Sequence, residues 1–302
     1  MRTHLDEMSM QNVRRGVLAT STKTKLLAIL EVLVVYGVMQ TLLVVWRSTG
    51  IPQWEKQNLG WSYTGMLILV GIPVLVVWLT RRSWVECGVS SADWQTNLDI
   101  GMKGCLIRVI PAFAMVLGLD RNPLSARFLE TMGWVIALGV MVWILNHHKP
   151  VKSGRKNVIV SLLLLSVPIV VALAMNRLSL VIVSTVVWQF VFSGFGEEFV
   201  CRGYFQSRLN QAFGRPLRLF GIQFGTGLII ASLLFGLLHT FNSYDATIGF
   251  SSLGWGSALS SFVAGLFFGV LREKTGTLLA PGIAHGLADA AGEPFIKIFG
   301  WM

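Results

Sequence analysis

Three small groups of polar residues interrupt apolar sequence in the C-terminal half of the 302-residue chain. The first group is Glu197, Glu198 and Arg202, in the stretch "GEEFVCRG". Glu198 and Arg202 are four residues apart, so on an α-helix they share a face in the favourable order of acid before base. Glu197 would point about 100° away. The arginine can therefore neutralise one glutamate and leave the other as a candidate general base.

Two histidines mark the other groups. His239 ends "FGLLH", in which Phe235 lies one helical turn earlier and could form a pocket wall. His285 and Asp289, in "HGLAD", are again spaced so that the carboxylate can accept a hydrogen bond from the imidazole and fix its tautomer. Together the three groups could bind and activate a water molecule. The sequence contains no GxSxG, HExxH or P-loop, which removes the commoner catalytic alternatives.

Each group also has an ordinary structural interpretation. The charges near residue 200 could form a solvated helix end, and a lone histidine such as His239 is commonly an interfacial residue. A His–Asp pair within an apolar span has fewer such explanations, because a charge at mid-membrane costs about 2.5–3.5 kcal/mol and normally pairs or faces the protein interior. The catalytic interpretation therefore depends on the three groups meeting in space.

The composition is that of a membrane protein. Hydrophobic residues make up 53% of the chain and charged residues 13%, against about 25% charged in soluble domains. The net charge is +10, but Lys and Arg occur in short clusters between apolar runs, as in loops that face anionic lipid. We therefore expect the lipid bilayer, and no nucleic acid, as a partner. Three widely separated cysteines outside any CxxC spacing form neither a disulfide framework nor a zinc ribbon.

We predict an all-α fold, a polytopic membrane helix bundle with about eight transmembrane helices, since a bilayer core needs roughly 20 apolar residues in a helix. Apolar windows occur at about 26–46, 61–79, 100–119, 130–146, 157–175, 179–195, 219–241, 253–271 and 277–292. The alternation of basic clusters places the N-terminus in the cytoplasm. No internal repeat or linker is visible, so residues 1–24 are predicted to form a cytoplasmic tail and residues 25–302 a single membrane domain.

Simple span counting separates Glu197 from His239 by a membrane thickness. The two can meet if one long helix runs from near Leu180 to about Phe213. Their side-chain atoms should then lie within about 3–7 Å, the reach of one shared water, and His285 should face the same cavity from a third helix.

Other polar residues in or beside the windows are given structural roles. Glu31, in the first window, stands alone in sequence. Glu293 and Lys297 lie near Gly292 and Pro294, which we expect to end the last helix. These residues are therefore left out of the predicted site.

The order EExxxR, FxxxH, HxxxN/D near the C-terminus of a polytopic chain resembles the CPBP family. These are the CaaX protease and bacteriocin-processing (Abi) enzymes, which include the type II CaaX prenyl endopeptidases. The stretch "GVLREKTGTLLAPGIAH" also resembles the family's approach to its last motif. The resemblance covers about residues 185–292 and places a catalytic core at about 180–292. Two positions bear on the match: Cys201 replaces a common aromatic residue, and Asp289 stands where the family admits Asn or Asp.

The resemblance implies hydrolysis of a peptide bond, in a membrane-associated protein or peptide, by a glutamate-activated water. It implies a role for each residue of the three motifs: Glu197 as general base, His239 holding the water, His285 and Asp289 stabilising the oxyanion or orienting its donor, and Glu198 with Arg202 bracing the helix. Members of the family are also described as metalloproteases, and two histidines with carboxylates could hold zinc. The spacing is not that of a known zinc helix, so we predict no cofactor, with zinc as the alternative.

Two rival functions remain open at this point. One is a non-catalytic membrane scaffold or immunity protein that keeps the pocket. The other is a small transporter, which is disfavoured because the sequence shows no paired broken helices in two matching halves. The predicted location is a bacterial plasma membrane, with the endoplasmic reticulum as the alternative.

Overall fold

Most of the chain is helical, as a bilayer requires, because a helix satisfies its backbone hydrogen bonds within one segment. The computed structural model describes residues 21–119, 123–241 and 252–300. The prediction of an all-α polytopic bundle is confirmed. The helices are α1 Thr22–Arg47, α2 Ile51–Leu59, α3 Tyr63–Leu79, α4 Trp94–Ile107, α5 Val109–Leu119, α6 Pro123–His147, α7 Arg155–Ala174, α8 Leu180–Phe213, α9 Thr226–Thr240, α10 Trp255–Thr275 and α11 Leu279–Phe299.

Six helical spans in the described residues are long and apolar enough to cross a membrane, or seven if the bent pair α2–α3 is counted as one. The predicted number of about eight is therefore approximate. Helix α9 has 15 residues, fewer than the roughly 20 that a bilayer core needs. Helix α11 carries two acidic residues, a lysine and a histidine, which lower its apolar character.

A small hairpin replaces the start of the helix predicted over residues 219–241. Strands β1 Leu217–Leu219 and β2 Ile222–Phe224 pair antiparallel, with Leu219 opposite Ile222. The two turn residues, Phe220 and Gly221, have φ values of 47° and 78°. Left-handed conformations at both turn positions match the right-handed twist of a hairpin. Each strand has three residues, too few for the alternation of polar and apolar side chains to be recognised within a long apolar window.

Helix α8 runs from Leu180 to Phe213 as one element of 34 residues, as predicted. Its middle is wound as π-helix over Trp188–Glu197 and Phe199–Gln206. π-Winding bonds each residue to the fifth along, and it occurs frequently at functional sites. Successive side chains then diverge by less than in an α-helix, so Glu197 and Glu198 lie closer in direction than the α-helical spacing predicted.

Helices α8 and α11 approach each other unusually closely at two glycines. A Cβ atom built on Gly194 would lie 2.4 Å from the Cα of Gly286, a distance that only glycine at both positions allows. Small residues permit such close backbone contact between membrane helices. The contact lies next to His285 in sequence and so sets the depth at which that side chain meets α8.

One prediction about polar residues is wrong, and another residue has partners that its position in the sequence does not show. Helix α11 continues through Pro294 to Phe299, so Gly292 and Pro294 do not end it. Glu31 is not isolated: its oxygens accept hydrogen bonds from Tyr204 Oη at 2.8 Å and Arg208 Nε at 2.8 Å. Arg82, just beyond α3, also pairs with this carboxylate. These partners lie far away in sequence, where helical periodicity carries no information about them.

Candidate active site

The side chains of Glu197 on α8 and His239 on α9 face each other. The distance from Glu197 Oε2 to His239 Nε2 is 3.9 Å, inside the predicted range. This separation is too long for a direct hydrogen bond, and it fits one water that bonds to both atoms at about 2.8 Å each. Within the described residues Glu197 Oε2 is buried and has no hydrogen-bond partner. The space between these two atoms can therefore hold a polar molecule such as water.

The tautomer of His239 follows from its second nitrogen. Nδ1 lies 2.9 Å from the carbonyl oxygen of Phe235, and because a carbonyl can only accept, Nδ1 carries the proton. A neutral ring then presents a lone pair on Nε2 towards Glu197. The ring of Phe235 packs edge-on against His239, with centroids 4.4 Å apart, as their spacing of one helical turn predicts, but Phe235 does not line the cavity that His239 reaches. Two acceptors thus face one gap, and a water there can donate one hydrogen to each.

Glu198 and Arg202 form the predicted pair, and both side chains are fully buried. Arg202 Nη1 donates to Glu198 Oε1 at 3.2 Å, and Nη2 donates to the Gly265 carbonyl at 2.9 Å. The guanidinium also lies 4.5 Å from the centre of the Phe235 ring. A buried charge needs its partner, since removing one member leaves the other unpaired in a medium of low polarity.

His285 joins this pair from α11. Its Nδ1 lies 2.9 Å from Glu198 Oε1, and its ring stacks on Phe268 with centroids 4.6 Å apart. Asp289 Oδ2 is 3.5 Å from His285 Nε2, beyond the usual range for a strong hydrogen bond. The prediction that Asp289 fixes the tautomer of His285 is therefore wrong in detail. Glu198 makes the shorter contact to the ring, because Asp289 is drawn to another residue.

That residue is Arg108, which the sequence reasoning missed. It lies at the break between α4 and α5. Its Nη2 donates to Asp289 Oδ1 at 2.6 Å, and its Nη1 donates to the carbonyl of His285 at 2.6 Å. The one available signal was a lone arginine inside an apolar window, which must find a carboxylate elsewhere in the protein. Arg108 holds the turn of α11 that carries His285 and Asp289.

The carboxylates of the cluster differ in whether an arginine pairs with them. Arg202 offsets Glu198, and Arg108 offsets Asp289. Among residues that the structure describes, Glu197 has no arginine or lysine within ion-pair distance, and His239 is the basic side chain that comes within that distance. The sequence-based prediction that one glutamate is neutralised and the other left free is therefore consistent with the geometry.

A cavity of about 740 Å³ reaches Glu197 and His239. Its size falls within the range of about 300–1,000 Å³ that is usual for ligand sites. Of the six predicted site residues, Glu197 and His239 line it. The prediction that His285 faces the same cavity is wrong, because its ring is held against Glu198 and Phe268 instead. The opposite wall comes from α1, α2 and α3, which contribute Arg47, Trp46 and Lys56 among others.

The residues do not form a ready metal site. No group of three or more His, Cys, Asp or Glu side chains is arranged to hold a metal ion in the part of the chain described. One nitrogen of each histidine is already engaged, His239 Nδ1 with Phe235 and His285 Nδ1 with Glu198. Zinc binding by both rings would therefore rely on their Nε2 atoms, and the absence of a cofactor stays a prediction.

The apolar helices identify an integral, multi-pass membrane protein. Within it, residues 178–291 match the family model described as Type II CAAX prenyl endopeptidase Rce1-like. The CPBP resemblance predicted from the three motifs is confirmed over this segment, which holds all six predicted site residues. The match supports an intramembrane endopeptidase of the CAAX protease type in general. Neither a curated protein nor a solved structure matches the chain.

Proposed function

We propose that this protein is an intramembrane endopeptidase that hydrolyses a peptide bond of a membrane-associated protein or peptide. The observation that carries the proposal is the gap of 3.9 Å between Glu197 Oε2 and His239 Nε2, two acceptors without a direct bond between them. A water that donates to both leaves its lone pairs free for a carbonyl carbon. Proximity and orientation of this kind contribute substantially to rate.

The reaction balances with these residues alone. The water oxygen bonds to the carbonyl carbon while Glu197 takes a water proton as general base. The C–N bond then breaks, and the protonated Glu197 returns that proton to the departing amine. The products are a new carboxyl end and a new amino end. His239, whose Nδ1 is fixed by Phe235, holds the water in place throughout.

The oxyanion that forms during attack needs donors nearby. We propose that His285, which does not line the cavity, and Asp289, its neighbour at 3.5 Å, orient such a donor and do not reach the oxyanion themselves. Glu198 and Arg202 brace the π-wound part of α8 that carries Glu197.

The remaining assignments are also proposals. We place the protein in a bacterial plasma membrane, with residues 25–302 as one domain. The distribution of Lys and Arg between the apolar runs supports a cytoplasmic position for residues 1–24. Water activation by glutamate without a metal is favoured because the described residues offer no group of three or more His, Cys, Asp or Glu side chains arranged to hold a metal ion. Zinc is the alternative.

The test compares membrane peptides from cells that produce the wild type, Glu197→Gln or Glu86→Gln. Glu86 is an exposed glutamate that accepts a hydrogen bond from Gln211, so it controls for loss of one carboxylate. We expect peptides that depend on the wild type to vanish with Glu197→Gln and to persist with Glu86→Gln. Identical peptide sets from all three would favour the non-catalytic scaffold.

A further inference from the structure

The wall of the cavity that faces the catalytic residues lies outside the segment matched by the family model. It is formed by the end of α1, by α2 and by the start of α3, and we call residues 46–66 the corner. Helix α2 is bent by 116° against α3. Gly60, with φ of 79°, allows the bend, and a Cβ atom there would lie 2.7 Å from Val181. The chain therefore turns sharply against α8.

Hydrogen bonds hold the corner in one shape. The buried carboxylate of Glu55 accepts from the backbone N–H and the hydroxyl of Thr64, both at 2.9 Å. Trp46 Nε1 in turn donates to the Thr64 hydroxyl at 2.9 Å. This chain of bonds links α1, α2 and α3. The surface that the corner presents to the cavity is therefore preorganised, which lowers the entropy lost on binding.

Further contacts fasten the corner to the catalytic helices. Trp61 stacks on Trp188 of α8 with centroids 4.3 Å apart, and its Nε1 donates to the Thr185 hydroxyl at 3.0 Å. Lys297, which the extended α11 brings within reach, donates to the Gly60 carbonyl at 3.1 Å. The position of the corner relative to α8 is thus set on both sides.

Two cations of the corner line the cavity together with Glu197. They are Arg47, at the end of α1, and Lys56, on α2. Arg47 is half-buried and donates from Nη1 to the carbonyl of Phe241 at 2.9 Å, two residues beyond His239. Within residues 21–119, 123–241 and 252–300, no carboxylate pairs with either cation. A guanidinium has five N–H donors, and the Phe241 carbonyl accepts from one nitrogen of Arg47. The other donors of Arg47 can therefore bind an anionic ligand in the cavity.

We propose that Arg47, assisted by Lys56, forms a carboxylate-binding subsite for the peptide substrate. The inference rests on the proposed function and adds a specificity to it: peptides that present a carboxylate near the scissile bond are bound preferentially. A carboxylate that enters a cavity already containing Glu197 needs a cation beside it, and a guanidinium binds one in a two-pronged geometry. Two sources supply this group, a free C-terminus and an acidic side chain.

Binding is measured by calorimetry in detergent with Glu197→Gln protein, so that turnover does not interfere. The probe is an N-acetylated hexapeptide of alanine and leucine in three forms: with a free C-terminus, with a C-terminal amide, and with a C-terminal amide after a final glutamate. We expect at least one carboxylate form to bind about tenfold to hundredfold more tightly than the plain amide, as for a charge-assisted hydrogen bond. The tighter of the two carboxylate forms identifies the source.

Variants made in the same background locate the subsite. Arg47→Gln should remove the preference for a carboxylate, whereas Arg47→Lys, which keeps the charge but not the two-pronged geometry, should retain part of it and so guards against a folding defect. Arg155→Gln, at an exposed arginine that begins α7, should change nothing. Equal binding of the three peptides, or equal weakening of acid and amide by Arg47→Gln, would overturn the proposal.

Cleavage by the wild type separates this proposal from the proposed function. If peptide cleavage requires Glu197 but acid and amide forms are cut at equal rates, the carboxylate subsite fails and the endopeptidase stands. If no cleavage depends on Glu197 while the carboxylate preference in binding persists, the proposed function fails and the subsite remains as a binding site.

Discussion

Helices α8 to α11 and helices α1 to α7 bury very different surfaces. On α8 the side chains of Arg202, Tyr204 and Phe205 are almost fully inaccessible. On α7, Leu162 and Leu163 are 62% and 57% exposed, as expected of a helix that faces lipid. The C-terminal helices thus enclose paired charges, and many of the N-terminal helices present apolar surface outward.

The division is not complete, because the N-terminal part reaches the site at two places. Arg108 enters from the α4–α5 break to hold Asp289 and the His285 carbonyl. The corner supplies the cavity wall with Arg47 and Lys56. The segment that matches the family model therefore carries the proposed catalytic residues, while residues outside it fix part of their geometry and, on our proposal, the preference for substrate.

The two regions should differ most in how much a single acid–base pair contributes to the free energy of unfolding. Glu198→Ala leaves Arg202 and His285 without their carboxylate in the interior, so we expect a loss of about 3–5 kcal/mol of stability. The matched change is Glu130→Ala on α6, where the side chains of Arg127 and Glu130 are 42% and 17% exposed. Water reaches this pair, so its loss should lie nearer the roughly 0–1 kcal/mol of a surface pair. Thermal unfolding in detergent measures both. Similar losses for the two variants would contradict the distinction between a buried site and a lipid-facing shell.

A second test asks whether Arg108 acts through Asp289. Arg108→Gln should lower peptide cleavage by about tenfold to hundredfold, because a charged hydrogen-bonded group loses about 1.5–3 kcal/mol when its partner is removed. Arg108→Gln leaves the carboxylate of Asp289 without its arginine, and the further change Asp289→Asn removes that carboxylate. The variant with both changes should therefore recover part of the activity and of the thermal stability. Two effects that simply multiply would show that Arg108 does not work through Asp289.

The smallest expected effect concerns metal. If Glu197 activates the water without zinc, a strong chelator should leave the purified protein active, and elemental analysis should find no stoichiometric zinc. The comparison is made against an untreated sample in the same detergent. Inactivation by chelator that is reversed by zinc would instead make His239 and His285 metal ligands through their Nε2 atoms.

The sequence predicted contacts between residues that lie close together along the chain. The Glu198–Arg202 pair is one helical turn apart, so its spacing alone indicated the contact. The continuous helix from Leu180 to Phe213 was predicted because no other arrangement brought Glu197 near His239. In both cases the information is local or follows from a simple geometric requirement.

The features that were missed depend on contacts between distant segments. Arg108 finds Asp289 across 181 positions, and Arg208 finds Glu31 across 177, and no periodicity relates such residues. The π-winding of α8 has no spacing pattern of its own. The helix through Pro294 shows that a proline is a weak stop signal when neighbouring helices support the backbone. Tertiary packing decided each of these outcomes.

In the proposed mechanism Glu197 and His239 act on one shared water, and a double-mutant cycle on peptide cleavage measures whether they do. Rates are measured in detergent for the wild type, Glu197→Gln, His239→Gln and the double variant, with thermal unfolding as the check on folding. Each single change should lower the rate by about 10²–10⁴. Because both residues hold the same molecule, the double variant should be no slower than Glu197→Gln alone. A double variant whose loss is the product of the two single losses would show that the residues act independently and do not share a water.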